Sequence, residues 1–519
     1  MDRRQFLLQA SAALGWMAAL RAHAANSTTA APSEIAHTSE IVHTSEIVHT
    51  SVGSLRGQRG EDAIAFLGVP FAEPPVGPLR FLPPHPARPW SGVRSALQLA
   101  PAPVELRRAN ISEDCLYLNV WTPVTPGPHP VLVWIYGGGN TSGATGGIAD
   151  GSHFARSGVV CVTPAYRVGA LGFLDLSAEL GKAYAGSGNN GLRDQILALH
   201  WVRQNIAAFG GDPERVTVGG ESAGAKDTCA LMGAPAAAGL FQQAIMESGS
   251  GQTIHTRESA EALTREFLAC AGLDTGNAAA LRTMPVDQLL NAQRALIAKA
   301  GAFPFRVTVD GVVLDRSPLE YVRSGSSRGV RLLAGTNHDE SSLFVRGAAL
   351  DQPVGPREVQ NATMDRMQTM EARYKATFPD LTPAQRKIRL LTAEEYWIPT
   401  LRVAEAHTGT GGETYLYRFD YPKSKGPLAG EVPHTQELSF VWGDTTNDPS
   451  HDALMRSVHG AWVDFIFGRT PSLANTPSWP RFNLTQRPVM VINRKSAVVL
   501  DPDGAERRLW DGWPFSQIR

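Results

Sequence analysis

The hexapeptide Gly219-Gly220-Glu221-Ser222-Ala223-Gly224 restricts the fold of this chain more than any other stretch. It follows the apolar run Arg215-Val216-Thr217-Val218 and leads into a segment that reads as helix, so a serine flanked by glycines falls at a strand-to-helix junction. That placement fits the nucleophile elbow Gly-x-Ser-x-Gly. The turn is too sharp for side chains on its flanks, which calls for glycine at Gly220 and Gly224 and pushes Ser222 Oγ out above the sheet. In a chain with 50 glycines the same pattern also serves as an ordinary strand-to-helix turn. A base, an orienting acid and an oxyanion site elsewhere in the chain distinguish the two.

The surroundings of the hexapeptide read as alternating strands and helices. Pro130-Val131-Leu132-Val133-Trp134-Ile135-Tyr136 is a continuous apolar run, as expected of a parallel strand buried on both faces, and it ends in Gly137-Gly138-Gly139. Gly158-Val159-Val160-Cys161-Val162-Thr163 is a second such strand. Residues 191–208 have helical spacing, with Leu192, Ile196, Leu199 and Val202 on one side. Strand character precedes them at 63–70 and returns at 329–335, 414–419 and 488–492, while 259–299 and 357–407 read as helical insertions roofing a pocket. This order predicts an α/β fold with a large, mostly parallel central sheet and helices on both faces. Catalytic groups in such sheets gather at the carboxyl ends of the strands, where the three-glycine turn and the elbow both fall.

The ends of the chain and its charge bound the rest. Arg3-Arg4-Gln5-Phe6-Leu7-Leu8, an apolar run to about Leu20 and Ala22-His23-Ala24 predict a secretory signal over 1–24, of the twin-arginine type, and hence a periplasmic or secreted bacterial protein. The apolar run is short for a bilayer crossing, so no stable membrane insertion is expected after signal removal. Residues 25–51 hold three copies of a six-residue repeat ending Ser45-Glu46-Ile47-Val48-His49-Thr50. His37, His43 and His49 would share one face of an extended chain but lie too far apart to share an ion. A mobile leader whose last copy pairs as a strand is the expectation, with one domain over 52–519. The 48 basic residues nearly balance 49 acidic ones, which gives no reason to expect nucleic acid as a partner. Cys115, Cys161, Cys229 and Cys270 lack metal-ligand spacing, and neither a metal nor an organic cofactor is expected.

A serine hydroxyl at neutral pH needs an imidazole to take its proton and a carboxylate to hold that imidazole in the right tautomer. Enzymes built on this elbow carry them in the order serine, acid, histidine. The acid is expected after a late strand, where Thr336-Asn337-His338-Asp339-Glu340-Ser341 stands, and the histidine on a loop near the end, where Val432-Pro433-His434-Thr435 stands. Spacing leaves Asp339 and Glu340 open as the acid, and His338 beside His434 as the base.

Four motifs together resemble the type B carboxylesterase family: Ser112-Glu113-Asp114-Cys115-Leu116-Tyr117-Leu118-Asn119-Val120, Trp134-Ile135-Tyr136-Gly137-Gly138-Gly139, Gly188-Asn189-Asn190-Gly191-Leu192-Arg193-Asp194-Gln195 and the elbow. The resemblance runs from about Val52 almost to the C-terminus and implies the α/β-hydrolase fold. Matched position by position, it implies Glu340 as the acid and His434 as the base. It also implies an oxyanion hole formed by the N–H groups of Gly138, Gly139 and Ala223. Arg80 with Glu113, and Arg167 with Asp194, are implied as structural ion pairs. Glu221 matches a glutamate common in the family, and two roles stay open for it: tuning the field of the site, or a satisfied polar group.

Departures from the family bear on substrate. Asn140 stands where relatives usually carry an aromatic residue, which makes one pocket wall more polar. Glu105, with Arg107 and Arg108 nearby, replaces the tryptophan that holds choline in cholinesterases, and a quaternary ammonium needs an aromatic face. Ala102-Pro103 stands near the usual position of the disulfide partner of Cys115. Lys226, Arg306 and Arg346 fall near pocket segments; they read as solvated surface, with receipt of an anionic ester as the alternative. The expected activity is hydrolysis of small-molecule carboxylic esters. A lipase, amidase or acyltransferase on the same scaffold, and a non-catalytic cholinesterase-like binding module, are the alternatives.

Overall fold

The computed structural model describes residues 45–146, 150–301, 303–444 and 448–514. The expected signal over 1–24, and His37 and His43, lie outside the described residues.

The strands are β1 (Ser45–His49), β2 (Ser54–Arg59), β3 (Ala63–Pro70), β4 (Val93–Ser95), β5 (Tyr117–Pro123), β6 (His129–Ile135), β7 (Val160–Pro164), β8 (Gly211–Glu221), β9 (Gln243–Glu247), β10 (His255–Thr256), β11 (Thr308–Val309), β12 (Arg331–Asn337), β13 (Thr414–Phe419), β14 (Pro488–Ile492) and β15 (Ala497–Leu500). Thirteen of them form one sheet in the order β1-β2-β3-β5-β7-β6-β8-β9-β12-β13-β14-β15, with β4 beside β2. Every pair from β7 across to β14 is parallel. The flanking pairs β1–β2, β2–β3, β3–β5, β5–β7 and β14–β15 are antiparallel. The last repeat copy supplies β1, so the sheet starts upstream of Val52.

The alternation of side chains explains why β6 is apolar from Pro130 to Ile135. Val131, Val133 and Ile135 pack into one core, Leu132 and Trp134 into the other, and no position from Pro130 to Ile135 faces water. The helix Asn190–Asn205 covers the first face with Leu192, Leu199 and Val202, and the helix Pro449–Ile466 covers the second with Val458, Trp462 and Phe465. Among the described residues, no helix is long and apolar enough to cross a membrane.

Both ion pairs implied by resemblance are present. Arg167 meets Asp194 through Nε at 2.8 Å and Nη2 at 2.7 Å, and also donates Nη1 to Leu82 O at 2.8 Å. Arg80 meets Glu113 in the same forked way and reaches across to Leu281 O and Met284 O at 3.0 and 2.6 Å. All four cysteines are unpaired.

Candidate active site

At the end of β8 the chain turns sharply, and Ser222 takes φ 58° and ψ −120°, a conformation costly for a residue with a Cβ. Close backbone approach holds it there. A Cβ on Gly224 would lie 2.0 Å from Ile135 O, and one on Gly220 would lie 2.5 Å from the Gly224 carbonyl carbon. Glycine is therefore obligatory at both positions, as the motif predicts. The Ser222 N–H is tied to Glu247 O at 2.8 Å, so β9 anchors the turn from its other side.

The loop after β6 is fixed by a reciprocal clasp: Tyr136 Oη donates to Tyr166 O at 2.9 Å, and Tyr166 Oη donates to Tyr136 O at 2.7 Å. Their rings stack at 4.3 Å. Gly138 and Gly139 follow with φ 118° and 63°, a region that glycine enters without strain. Among the described residues, no acceptor takes up the N–H groups of Gly138, Gly139 or Ala223. Asn140 takes φ 53° and lines the same cavity as Ser222, but its amide turns inward and donates to Asp227 Oδ1 at 3.2 Å. The other Asp227 oxygen accepts Gln195 Nε2 at 2.6 Å. Burial pushes the Asp227 carboxyl up to about 6, against these two donors.

Past β12, Glu340 and not Asp339 meets the imidazole. His434 Nδ1 lies 2.6 Å from Glu340 Oε2, and Glu340 Oε1 accepts the Asn337 N–H at 2.7 Å. Asp339 is engaged by His338 at 2.8 Å and by the Val432 N–H at 3.0 Å, which leaves neither Asp339 nor His338 facing the elbow. Tyr396 and Phe344 pack their rings on His434 at 4.9 and 5.3 Å, and both line the cavity with Ser222. No hydrogen bond joins Ser222 Oγ to His434 among the described residues. Instead, His434 Nε2 lies 3.0 Å from Glu221 Oε1, an oxygen with no aligned donor, so the contact is one of charge proximity.

Glu221 belongs to a group of buried acids, of which sequence reasoning did not find Glu247 and Glu437. Glu437 accepts Ser248 Oγ at 3.0 Å and the Asn337 side-chain amide, and Glu247 accepts Trp462 Nε1 at 2.6 Å. Burial pushes Glu221 up to about 8, with His434 opposing, and Glu437 up to about 7. Burial pulls His434 down, but Glu221 and Glu340 outweigh it and raise the ring to about 9. Both partners of the 3.0 Å contact thus hold protons to higher pH than usual.

The cations near the pocket correct a reading. Lys226 is not solvated surface: its Nζ lies 2.8 Å from Glu395 in the cavity wall. Arg306 is half-buried in the same wall and donates to Gln360 O and Oε1 at 3.1 and 2.7 Å. Only Arg346 of the three is exposed. A π-helical turn, Ala393–Trp397, organises this side. Its Glu394 accepts the N–H groups of Gln360, Asn361 and Ala362, its Glu395 pairs with Lys226, and its Tyr396 packs on His434. Such turns recur at functional sites.

A large parallel sheet with a strained serine elbow, open amides beside it and an imidazole-carboxylate pair across the cavity is the architecture of an α/β-hydrolase. The profile of the Carboxylesterase family matches residues 44–510, and the chain belongs to that family of carboxylic-ester hydrolases. It is 35% identical over 485 residues to the para-nitrobenzyl esterase of Bacillus subtilis (strain 168), covering 88% of this chain and 96% of that one. It is 34% identical over 466 residues to the fumonisin B1 esterase of Sphingopyxis macrogoltabida, covering 83% of each. The crystal structure of a Geobacillus stearothermophilus carboxylesterase superposes with a TM-score of 0.80 at 36% identity, covering 89% of this chain and 99% of that one.

Proposed function

We propose that the chain hydrolyses carboxylic esters through an acyl-enzyme formed on Ser222. In this reading His434 Nε2 takes the Ser222 proton as Oγ attacks the ester carbonyl, and Glu340 supports the imidazolium. The N–H groups of Gly138, Gly139 and Ala223 receive the oxyanion, each contributing on the order of 2.7–4 kcal/mol to the transition state. His434 then protonates the leaving alcohol, and water releases the acid by the reverse sequence. The observation that carries this reading is the 2.6 Å pair between His434 and Glu340, held by two loops at the same strand ends as the elbow. The ring has to swing from Glu221 toward Oγ, and such hydrogen bonds commonly tighten only once substrate is bound.

A fluorophosphonate probe and a p-nitrophenyl ester test the assignment. Ser222→Ala is expected to lose both labelling and turnover while remaining folded; retained hydrolysis in that variant rejects it. Rates on a soluble ester, an emulsified triglyceride and an amide separate an esterase from a lipase or amidase. Export by the twin-arginine route is part of the proposal, supported by Arg3-Arg4 and the apolar run after them. Cell fractionation that finds mature protein only in the cytoplasm removes that part.

A further inference from the structure

Ser222 shares with Asn140, Ser250 and Thr253 a cavity of about 30 Å³, close to the share of a single liquid water. Phe303 stands over the glycine loop at its wall, since a Cβ on Gly139 would come within 2.0 Å of the ring, and it meets Phe344 edge-on at 5.9 Å. The segment that carries Ser250 and Thr253 is pressed onto the elbow. A Cβ on Gly249 would lie 2.3 Å from Ser222 O, and the Ser248 N–H is tied to Gly335 O at 2.8 Å, which fixes the segment to β12.

Charged side chains in this wall are engaged: Lys226 with Glu395 at 2.8 Å, and Asp227 with Asn140 Nδ2 and Gln195 Nε2. The hydroxyls of Ser250 and Thr253 are not. Ser250 is 1% exposed and Thr253 7%, and among the described residues neither hydroxyl has a hydrogen-bond partner. Asn140 Oδ1 is buried and unpartnered in the same way. Unpaired polar atoms are costly in an interior, and beside a nucleophile they mark a site that pairs them with its ligand.

The chemistry of these atoms defines the ligand group. Serine and threonine hydroxyls both donate and accept, whereas an amide oxygen only accepts. An alcohol hydroxyl suits both kinds, donating to Asn140 Oδ1 while accepting from Ser250 or Thr253. A methyl pairs with none of them, and a carboxylate offers Asn140 Oδ1 no donor. In so small a space, a group that enters comes close to all three. The acyl half is the part that enters, because it stays bonded to Ser222 while the alcohol leaves past His434, which protonates it.

We propose that this enzyme prefers esters of short hydroxy acids, the acyl hydroxyl being received by Ser250, Thr253 and Asn140 Oδ1. The proposal rests on Ser222 being the nucleophile.

Phenyl glycolate and phenyl propionate test it, since they differ only in a hydroxyl that replaces a methyl. Each kcat/KM is first divided by the rate constant of that ester with hydroxide, which removes the inductive effect of the hydroxyl. The wild type is expected to favour the glycolate ester by about tenfold or more, the value of two neutral hydrogen bonds. That ratio should fall toward parity in the double variant Ser250→Ala with Thr253→Val, and be kept in Thr253→Ser. Apolar replacement of an unpaired hydroxyl is close to neutral for folding, so urea melts of the double variant should match or exceed the wild type. Parity in the wild type, an unmoved ratio in the double variant, or a clear loss of its stability overturns the proposal, the last because the hydroxyls would then serve the fold. So does a chain labelled at Ser222 by fluorophosphonate yet inert toward the glycolate ester. Failure of that labelling instead removes the serine-hydrolase reading beneath it.

Discussion

Glu221 Oε1 lies 3.0 Å from His434 Nε2, on the side of the ring opposite the 2.6 Å bond to Glu340. The imidazole is thus held between two carboxylates, and a base so placed surrenders its proton only at raised pH. Glu221→Gln removes one of the charges. The acid limb of the kcat/KM profile should move to lower pH by about one unit or more, the usual effect of deleting a neighbouring opposite charge. An unmoved limb would mean that Glu221 does not face the ring in the working enzyme.

Asn140 links the glycine loop to Asp227 on the helix Ala223–Gly233, so it ties Gly138 and Gly139 to the element that starts with Ala223. Asn140→Ala deprives a buried carboxylate of one of its two donors and should cost about 1–3 kcal/mol of stability. Because the three amides lose their mutual alignment, kcat should fall more than KM rises. Steady-state kinetics beside urea melts check both; a loss confined to KM contradicts the alignment.

Gly224→Ala should yield no active protein. The new methyl would sit 2.0 Å from Ile135 O, a backbone atom in the middle of the sheet that has no side-chain freedom to yield. Soluble expression and fluorophosphonate labelling provide the readout, and wild-type labelling would show that the elbow opens more than its geometry allows.

Arg167→Met strands Asp194, which is fully buried and accepts the Arg167 backbone N–H as well as its guanidinium. The expected loss is about 3–5 kcal/mol. Replacing both members with apolar residues of matching volume should recover much of it. Chemical denaturation of the single and double variants measures the difference.

The elbow and the strands buried on both faces were legible because each depends on local chemistry: glycine where backbones touch, and uninterrupted apolar residues where neither face is wet. β9 was not legible. Its ends are Gln243 and Glu247, which look solvated in sequence but are buried, Gln243 donating to Thr217 and Ile466 O and Glu247 accepting from Trp462. The same blindness hid Glu437 and misread Lys226. A charge looks exposed until its partner is known, and Glu395 lies far along the chain from Lys226. Choosing Glu340 over Asp339 needed family resemblance, since only the folded loop directs Asp339 to His338 and the Val432 N–H.

The π-helical turn at Ala393–Trp397 gives the cavity a tuning point of an unusual kind. A helix advances by about 100° per residue, so deleting one residue there would rotate Glu395 and Tyr396 together away from Lys226 and His434. Ester selectivity in this scaffold is therefore open to change by a single-codon deletion, a route that point-substitution libraries never sample.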